Sequence, residues 1–169
     1  VLEVLDDTYA RRLGAGRLGR VDVLDIDATN PAATIVADLC APDALEAARF
    51  DCVILTQVLQ YVADPAVALA NVRRSLRPGG VLLLTVPSLS RLDARNAAVD
   101  RWRFMPAGVE LLLGDLFDDV EVDAPGNLTS AAAGLLGLAA EEVGPRGAAR
   151  EPRFPLVVTA RASVRPDAG

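Results

Sequence analysis

Apolar and polar positions along this chain alternate between two periods. Short apolar runs of strand length occur at Val1–Leu5, Val21–Asp27, Thr34–Val36, Asp51–Thr56, Val81–Val86, Val120–Asp123 and Phe154–Val164. Segments with helical spacing lie between them, at Thr8–Leu13, Pro42–Ala48, Pro65–Leu76, Pro106–Leu116 and Leu128–Glu142. The runs "DCVILT" and "VLLLTV" are apolar at nearly every position, as strands buried on both faces of a parallel sheet are. In Pro65–Leu76, Val67, Leu69, Val72 and Leu76 share one side. Arg73, Arg74 and Arg77 crowd its end, where cations complement the helix dipole. The Arg-Pro-Gly-Gly that follows stops the helix. Asp7 is positioned to cap the first helix, and Gly134 and Gly137 weaken the Ala-rich one. This order predicts a mostly parallel sheet with helices on both faces.

Composition removes several function classes. The chain has 169 residues, enough for one domain with a real core, and a net charge of −6. An acidic balance argues against non-specific nucleic-acid binding, which wants a basic face. No apolar run approaches the ~20 residues of a membrane span, so no membrane contact is expected, and no signal peptide is evident. The first residue is not Met and begins a strand, so a helix or helices before Val1 are expected. Two cysteines, Cys40 and Cys52, cannot build a disulfide framework and read as reduced thiols of a cytoplasmic protein. The chain has no His, and all 17 of its basic residues are Arg. That excludes His-ligated zinc, imidazole bases, a P-loop lysine and Schiff-base chemistry. No metal site is expected.

One motif invites a dinucleotide-binding reading. Gly14-Ala15-Gly16-Arg17-Leu18-Gly19 has the spacing Gly-x-Gly-x-x-Gly. Such a loop must follow a strand directly and open a helix, so that the helix N-terminus meets the pyrophosphate. Here it follows a helix, and only Arg20 separates it from the next strand. It reads as a helix end and a turn.

A longer pattern carries more. The stretch "FDCVILTQVLQYVADPAVALANVRRSLRPGGVLLLTVP", Phe50 to Pro87, resembles the second half of class I, Rossmann-like S-adenosylmethionine-dependent methyltransferases. The tail "DRWRFMPAGVELLLGDLFDDVEVDAPGN" is similar to members that act on small molecules or serve polysaccharide biosynthesis. The resemblance implies a single α/β domain, a Rossmann-like three-layer sandwich. Its seven-stranded sheet would be mostly parallel, with an antiparallel last strand inserted beside the fifth. It also implies methyl transfer from S-adenosylmethionine to a small-molecule acceptor, such as a sugar or glycan precursor. The partners this allows are a second copy in a homodimer, or a fused or associated glycan-modifying enzyme. A second reading is a methyltransferase-like interaction domain that has lost the cofactor.

Site residues transfer only where the motif matches. Glu3 matches the acidic residue that orients the cofactor loop. Asp27 matches the acid for the ribose hydroxyls, with Asp25 a rival; a carboxylate offers two acceptor oxygens to a cis-diol. Asp38 and Leu39 match the pair at the adenine, and Thr56 and Gln57 the methionine end. Each acid has a plainer reading, as an edge charge or a turn cap. The family's Glu-x-Gly-x-Gly-x-Gly is not kept: Leu5, Asp7 and Tyr9 stand at the glycine places. Either the loop is remodelled, with Asp6 or Asp7 taking the cofactor's ammonium group, or the pocket is blocked. On the acceptor side, Gln60 and Tyr61 replace a common Glu-His, and Trp102, Arg103 and Phe104 suggest a lid. No catalytic base is evident.

Overall fold

The computed structural model describes residues 1–14 and 16–166. Seven strands form one sheet: β1 (Leu2–Val4), β2 (Asp22–Asp25), β3 (Ile35–Val36), β4 (Phe50–Thr56), β5 (Leu76–Pro87), β6 (Asp119–Asp123) and β7 (Val157–Ser163). Their order is β3-β2-β1-β4-β5-β7-β6. The first five pair in parallel, and β7 runs antiparallel between β5 and β6. The mostly parallel, Rossmann-like α/β sheet expected from the sequence is present. The chain leaves β1 toward one edge and later starts β4 on β1's other side. A crevice therefore opens beyond the carboxyl ends of β1 and β4, the switch point where ligands of open α/β sheets bind.

The helices are α1 (Thr8–Gly14), α2 (Pro65–Ser75), α3 (Pro106–Gly114), α4 (Leu128–Leu136) and α5 (Ala140–Val143). One sheet face carries the main core. Leu2, Leu24, Val53, Leu55, Leu82, Leu84, Val86 and Val158 pack there with Ala68, Leu69 and Val72 of α2 and Val109 and Leu113 of α3. At roughly 1.5–3 kcal/mol per large aliphatic buried, this layer is the fold's main favourable term. The period-2 alternation of β5 and β7 turns Leu83, Thr85, Val157 and Thr159 to the other face. There Tyr9 and Leu13 of α1 overhang them, leaving a cleft of about 590 Å³.

Several elements depart from the sequence reading. Asp6, not Asp7, caps α1: its Oδ1 accepts from the Thr8 N–H at 2.8 Å. The expected helix at 42–48 is a series of turns. The Ala-rich helix is broken by Gly137, whose left-handed φ of 82° closes α4 before α5 begins. A 3₁₀ turn (Gly144–Ala148) occupies part of the expected loop. α2 begins as "ADP" implies, with Pro65 in the first turn and Asp64 accepting from Ala66 and Val67 N–H. After it, β5 starts at Leu76 and runs through Arg-Pro-Gly-Gly, five residues before the strand expected at Val81–Val86. Gly79 takes φ 76°, and a Cβ on Gly80 would lie 2.8 Å from the Arg77 carbonyl oxygen.

Candidate functional site

The loop between β1 and α1 builds the first wall of the crevice. An α-helix leaves its first four N–H groups without partners inside the helix. In α1 each has one. Thr8 N–H donates to Asp6 Oδ1 at 2.8 Å. Tyr9 N–H donates to Glu3 Oε1 at 2.9 Å and Ala10 N–H to Glu3 Oε2 at 2.7 Å. Arg11 N–H donates to the Asp7 carbonyl at 3.0 Å. Glu3 is 2% exposed and reaches the helix from inside β1. The helix terminus that would hold a pyrophosphate is therefore filled by the protein's own carboxylates. Asp7 Oδ2 pairs with Arg11 at 2.6 Å and does not cap the helix.

Leu5 stands at the first glycine place with φ 76°, the conformation glycine would supply. Its N–H donates to the Leu24 carbonyl at 3.0 Å. Its own carbonyl accepts from Asn30 Nδ2 at 2.8 Å, and the same amide donates to Asp25 Oδ2 at 2.6 Å. Asn30 thus ties the β1 loop to the β2 loop, a role nothing in the spacing had marked.

Beyond β2 the acids fall differently than expected. The strand ends at Asp25, so Asp25 and not Asp27 is its tip. Asp25 Oδ1 accepts from the Asp27 N–H at 3.0 Å. Asp27 lies exposed in the following turn, where Oδ1 accepts from Thr29 N–H and Thr29 Oγ1. Those bonds lower its pKa. Asp38 also shapes a turn, accepting from Cys40 N–H at 2.8 Å. Leu39 is buried in the core at 5% exposure. Leu5, Ile26 and Val36, past or at the ends of β1, β2 and β3, are 63%, 70% and 53% exposed. Acid and exposed aliphatic surface lie side by side along this edge.

The second wall follows β4 and β5. Thr56 is paired with Thr85 across the strands. Gln57, with φ 56°, donates its amide to Thr85 Oγ1 at 3.2 Å. Further on, a segment of residues 88–104 folds against residues 60–62. The Gln60 carbonyl accepts from Arg101 and Trp102 N–H. Trp102 Nε1 donates to the Val62 carbonyl at 2.9 Å, and the residue is 40% exposed. Tyr61 Oη donates to Asp93 Oδ2 at 3.0 Å. Burial first, then the Asp93 bond, raises the Tyr61 pKa. Arg103 grips both oxygens of Asp100 at 2.6 and 2.8 Å and the carbonyls of Ser90, Arg91 and Trp102. The hydrogen bonds and charge of Arg103, together with the Asp93 N–H bond, hold the Asp100 pKa at about 2 against its burial. Arg103 is thus occupied in shaping this segment, not free for an acceptor's anion. Gln60 is 5% exposed, and its Oε1 is the buried side-chain polar atom without a partner among the described residues.

The Gly-x-Gly-x-x-Gly stretch closes α1 and turns, with Arg17 N–H donating to the Gly14 carbonyl at 2.8 Å. Its Ala15 lies outside the described residues. Cys40 and Cys52 are both free thiols. No cluster of metal-ligating side chains is found among the described residues. No helix among them is long and apolar enough to cross a membrane.

Comparison with known proteins agrees with this geometry. Residues 11–84 match the family model described as a methyltransferase domain. A crystal structure of an S-adenosylmethionine-dependent methyltransferase from Archaeoglobus fulgidus superposes with a TM-score of 0.62 at 12% identity, covering 96% of this chain and 84% of that one. Haemonchus contortus phosphoethanolamine N-methyltransferase 2, in complex with S-adenosyl-L-methionine, gives a TM-score of 0.64 at 17% identity, covering 98% of this chain and 48% of that one. The chain has the fold of the class I, Rossmann-like S-adenosylmethionine-dependent methyltransferases, and the methyltransferase-domain model matches it from within α1 to within β5. Among curated proteins, an uncharacterized 37.1 kDa protein in transposon Tn4556 of Streptomyces fradiae is 52% identical over 48 residues. That match covers 28% of this chain and 14% of that protein.

Proposed function

We propose that this protein transfers the methyl group of S-adenosylmethionine to a small-molecule acceptor, with a sugar or glycan precursor as the leading class. The observation that carries the reading is the filled N-terminus of α1. With Glu3 and Asp6 on its N–H groups, the crevice repels a pyrophosphate, which disfavours a dinucleotide. An acidic crevice suits a ligand with a sulfonium, an ammonium group and a ribose diol. When bound, the cofactor supplies an electrophilic methyl group on a sulfonium.

The residues present fit that ligand. Leu5 keeps the backbone conformation of the missing glycine. The Asp25–Asp27 turn presents two carboxylates at the end of β2 for the ribose hydroxyls; Asp27 Oδ2 has no partner among the described residues. Ile26 and Val36 give the base an apolar edge. Asp38 contributes from the turn after β3, and Leu39 through its backbone. Asp6 and Asp7 face the ammonium end electrostatically, and Thr56 and Gln57 line the methionine end. On the acceptor side stand Gln60, Tyr61 and Trp102, with Tyr61 tied to Asp93 and Trp102 to the Val62 carbonyl. Rate would come from holding the nucleophile in line with the methyl group, which needs no dedicated base.

Calorimetric titration with S-adenosylhomocysteine tests this. Micromolar binding is expected, at least tenfold weaker in Asp25→Ala or Asp27→Ala. A folded protein that ignores millimolar S-adenosylhomocysteine overturns the proposal and leaves the interaction-domain reading.

A further inference from the structure

Among the described residues, the non-glycine ones with left-handed backbone are Leu5 (φ 76°), Asp43 (φ 52°), Ala48 (φ 48°) and Gln57 (φ 56°). Asp43 and Ala48 lie in the turns that lead into the start of β4. Leu5 and Gln57 instead follow the carboxyl ends of β1 and β4, hydrogen-bonded neighbours on either side of the crevice. Backbone held in a rarely adopted region persists only where the surroundings impose it, and it clusters at ligand clamps.

At Leu5 the surroundings are explicit. The Leu24 carbonyl takes its N–H, and the Asn30 amide takes its carbonyl while also holding Asp25. These bonds fix the conformation whatever the side chain. The side chain itself gains little from the protein, since Leu5 is 63% exposed. Its neighbours along the edge, Ile26 and Val36, are exposed too. Leu5 thus combines a backbone held in a strained conformation with a side chain the fold leaves unpacked.

We propose that Leu5 is a ligand-contacting, specificity-determining residue. Its side chain closes over the nucleoside part of an adenosyl ligand held at Asp25–Asp27, giving an apolar contact that glycine cannot. This rests on the cofactor reading above. Leu5→Ala keeps the strained backbone and removes the side chain; Leu5→Gly removes both; Leu5→Met keeps an aliphatic side chain of similar size. Covering the exposed part of a leucine implies that Leu5→Ala and Leu5→Gly each bind S-adenosylhomocysteine roughly 5- to 10-fold more weakly. Leu5→Met should stay within about twofold, because volume-conserving apolar exchanges are tolerated best. Calorimetry on the four proteins, each checked for cooperative unfolding, reads this directly. Affinity unchanged by removing the side chain overturns the proposal alone. Tighter binding in both truncations also overturns it, making Leu5 an obstruction. If Leu5→Gly tightens and Leu5→Ala does not change, the backbone matters and the side chain does not, which again overturns it. If neither the parent nor any variant binds, the cofactor reading falls and takes this one with it.

Discussion

Replacing Glu3 by alanine tests how the crevice's first wall is held. The variant strands two N–H groups at the start of α1. Ala10 is 2% exposed, so its N–H finds no water in place of Glu3 Oε2, while Tyr9 is 42% exposed and recovers part of its loss. A buried donor left unpaired costs about 1–3 kcal/mol, and hydrogen bonds to charged groups lie toward the upper end. Taking about 2 for Ala10 and about 1 for Tyr9 gives about 3 kcal/mol. Relief of the carboxylate's own desolvation trims this, and loss of its packed stem adds to it. For a chain of this length, about 3 kcal/mol corresponds to a fall in Tm of roughly 6–12 °C. Glu3→Gln keeps one acceptor oxygen and should lose about half as much. Differential scanning calorimetry, with urea unfolding as a check, measures both. A Tm for Glu3→Ala within about 2 °C of the parent would refute the reasoning, because the caps would then be carrying no stability.

Three further outcomes follow from other sites. Asp100 has its pKa lowered to about 2 by Arg103, so the pair stabilises the fold fully above the unfolded carboxylate value and loses that as pH falls toward 2. The Tm gap between parent and Arg103→Met should therefore be widest above pH 4 and close toward pH 2; a gap independent of pH contradicts it. Asp22 is 3% exposed and binds Arg20, Arg49 and Thr34, so Asp22→Ala leaves Arg49 only its pair with Glu46 at 3.3 Å and should cost about 2 kcal/mol in urea unfolding. Gly80→Ala brings a methyl group 2.8 Å from the Arg77 carbonyl oxygen and should destabilise by about 2 kcal/mol, whereas Gly108→Ala, with open space around it, should not.

How much of this was legible in the sequence differs by element. β4 and α2 were readable because each combines a strong period with an Asp-Pro start or a continuous apolar run; β5 was readable only from Val81 on, since the strand begins at Leu76 and runs through the Pro-Gly-Gly that reads as a stop. The stretch at 42–48 has a proline and alanines in helical spacing, yet its backbone includes left-handed Asp43 and Ala48, and tertiary bonds from Ala48 and Arg49 to α2 hold it open. β2 read as reaching Asp27 because Ile26 continues the alternation. In the structure Ile26 is solvent-exposed, and Asp25 already turns the chain by accepting from the Asp27 N–H. The acids of the crevice were findable by type and place. Their partners were not: Asn30 lies 25 residues from Leu5, and Asp93 lies 32 from Tyr61. Pairings over such spans follow from the assembled sheet, not from any local period.

The clamp on Leu5 has a consequence for how this pocket can change. Where glycine supplies a left-handed turn, conformation and side-chain identity are the same choice, and any substitution disturbs the loop. Here the Leu24 carbonyl and the Asn30 amide supply the conformation from outside the residue. Unbranched L-residues at position 5 meet a similar backbone penalty, Asn and Asp a smaller one and β-branched residues a larger one, so the choice among the unbranched is left to what the crevice holds. Position 5 behaves as a socket, into which different side chains can be fitted to retune the crevice while the loop around it stays in place.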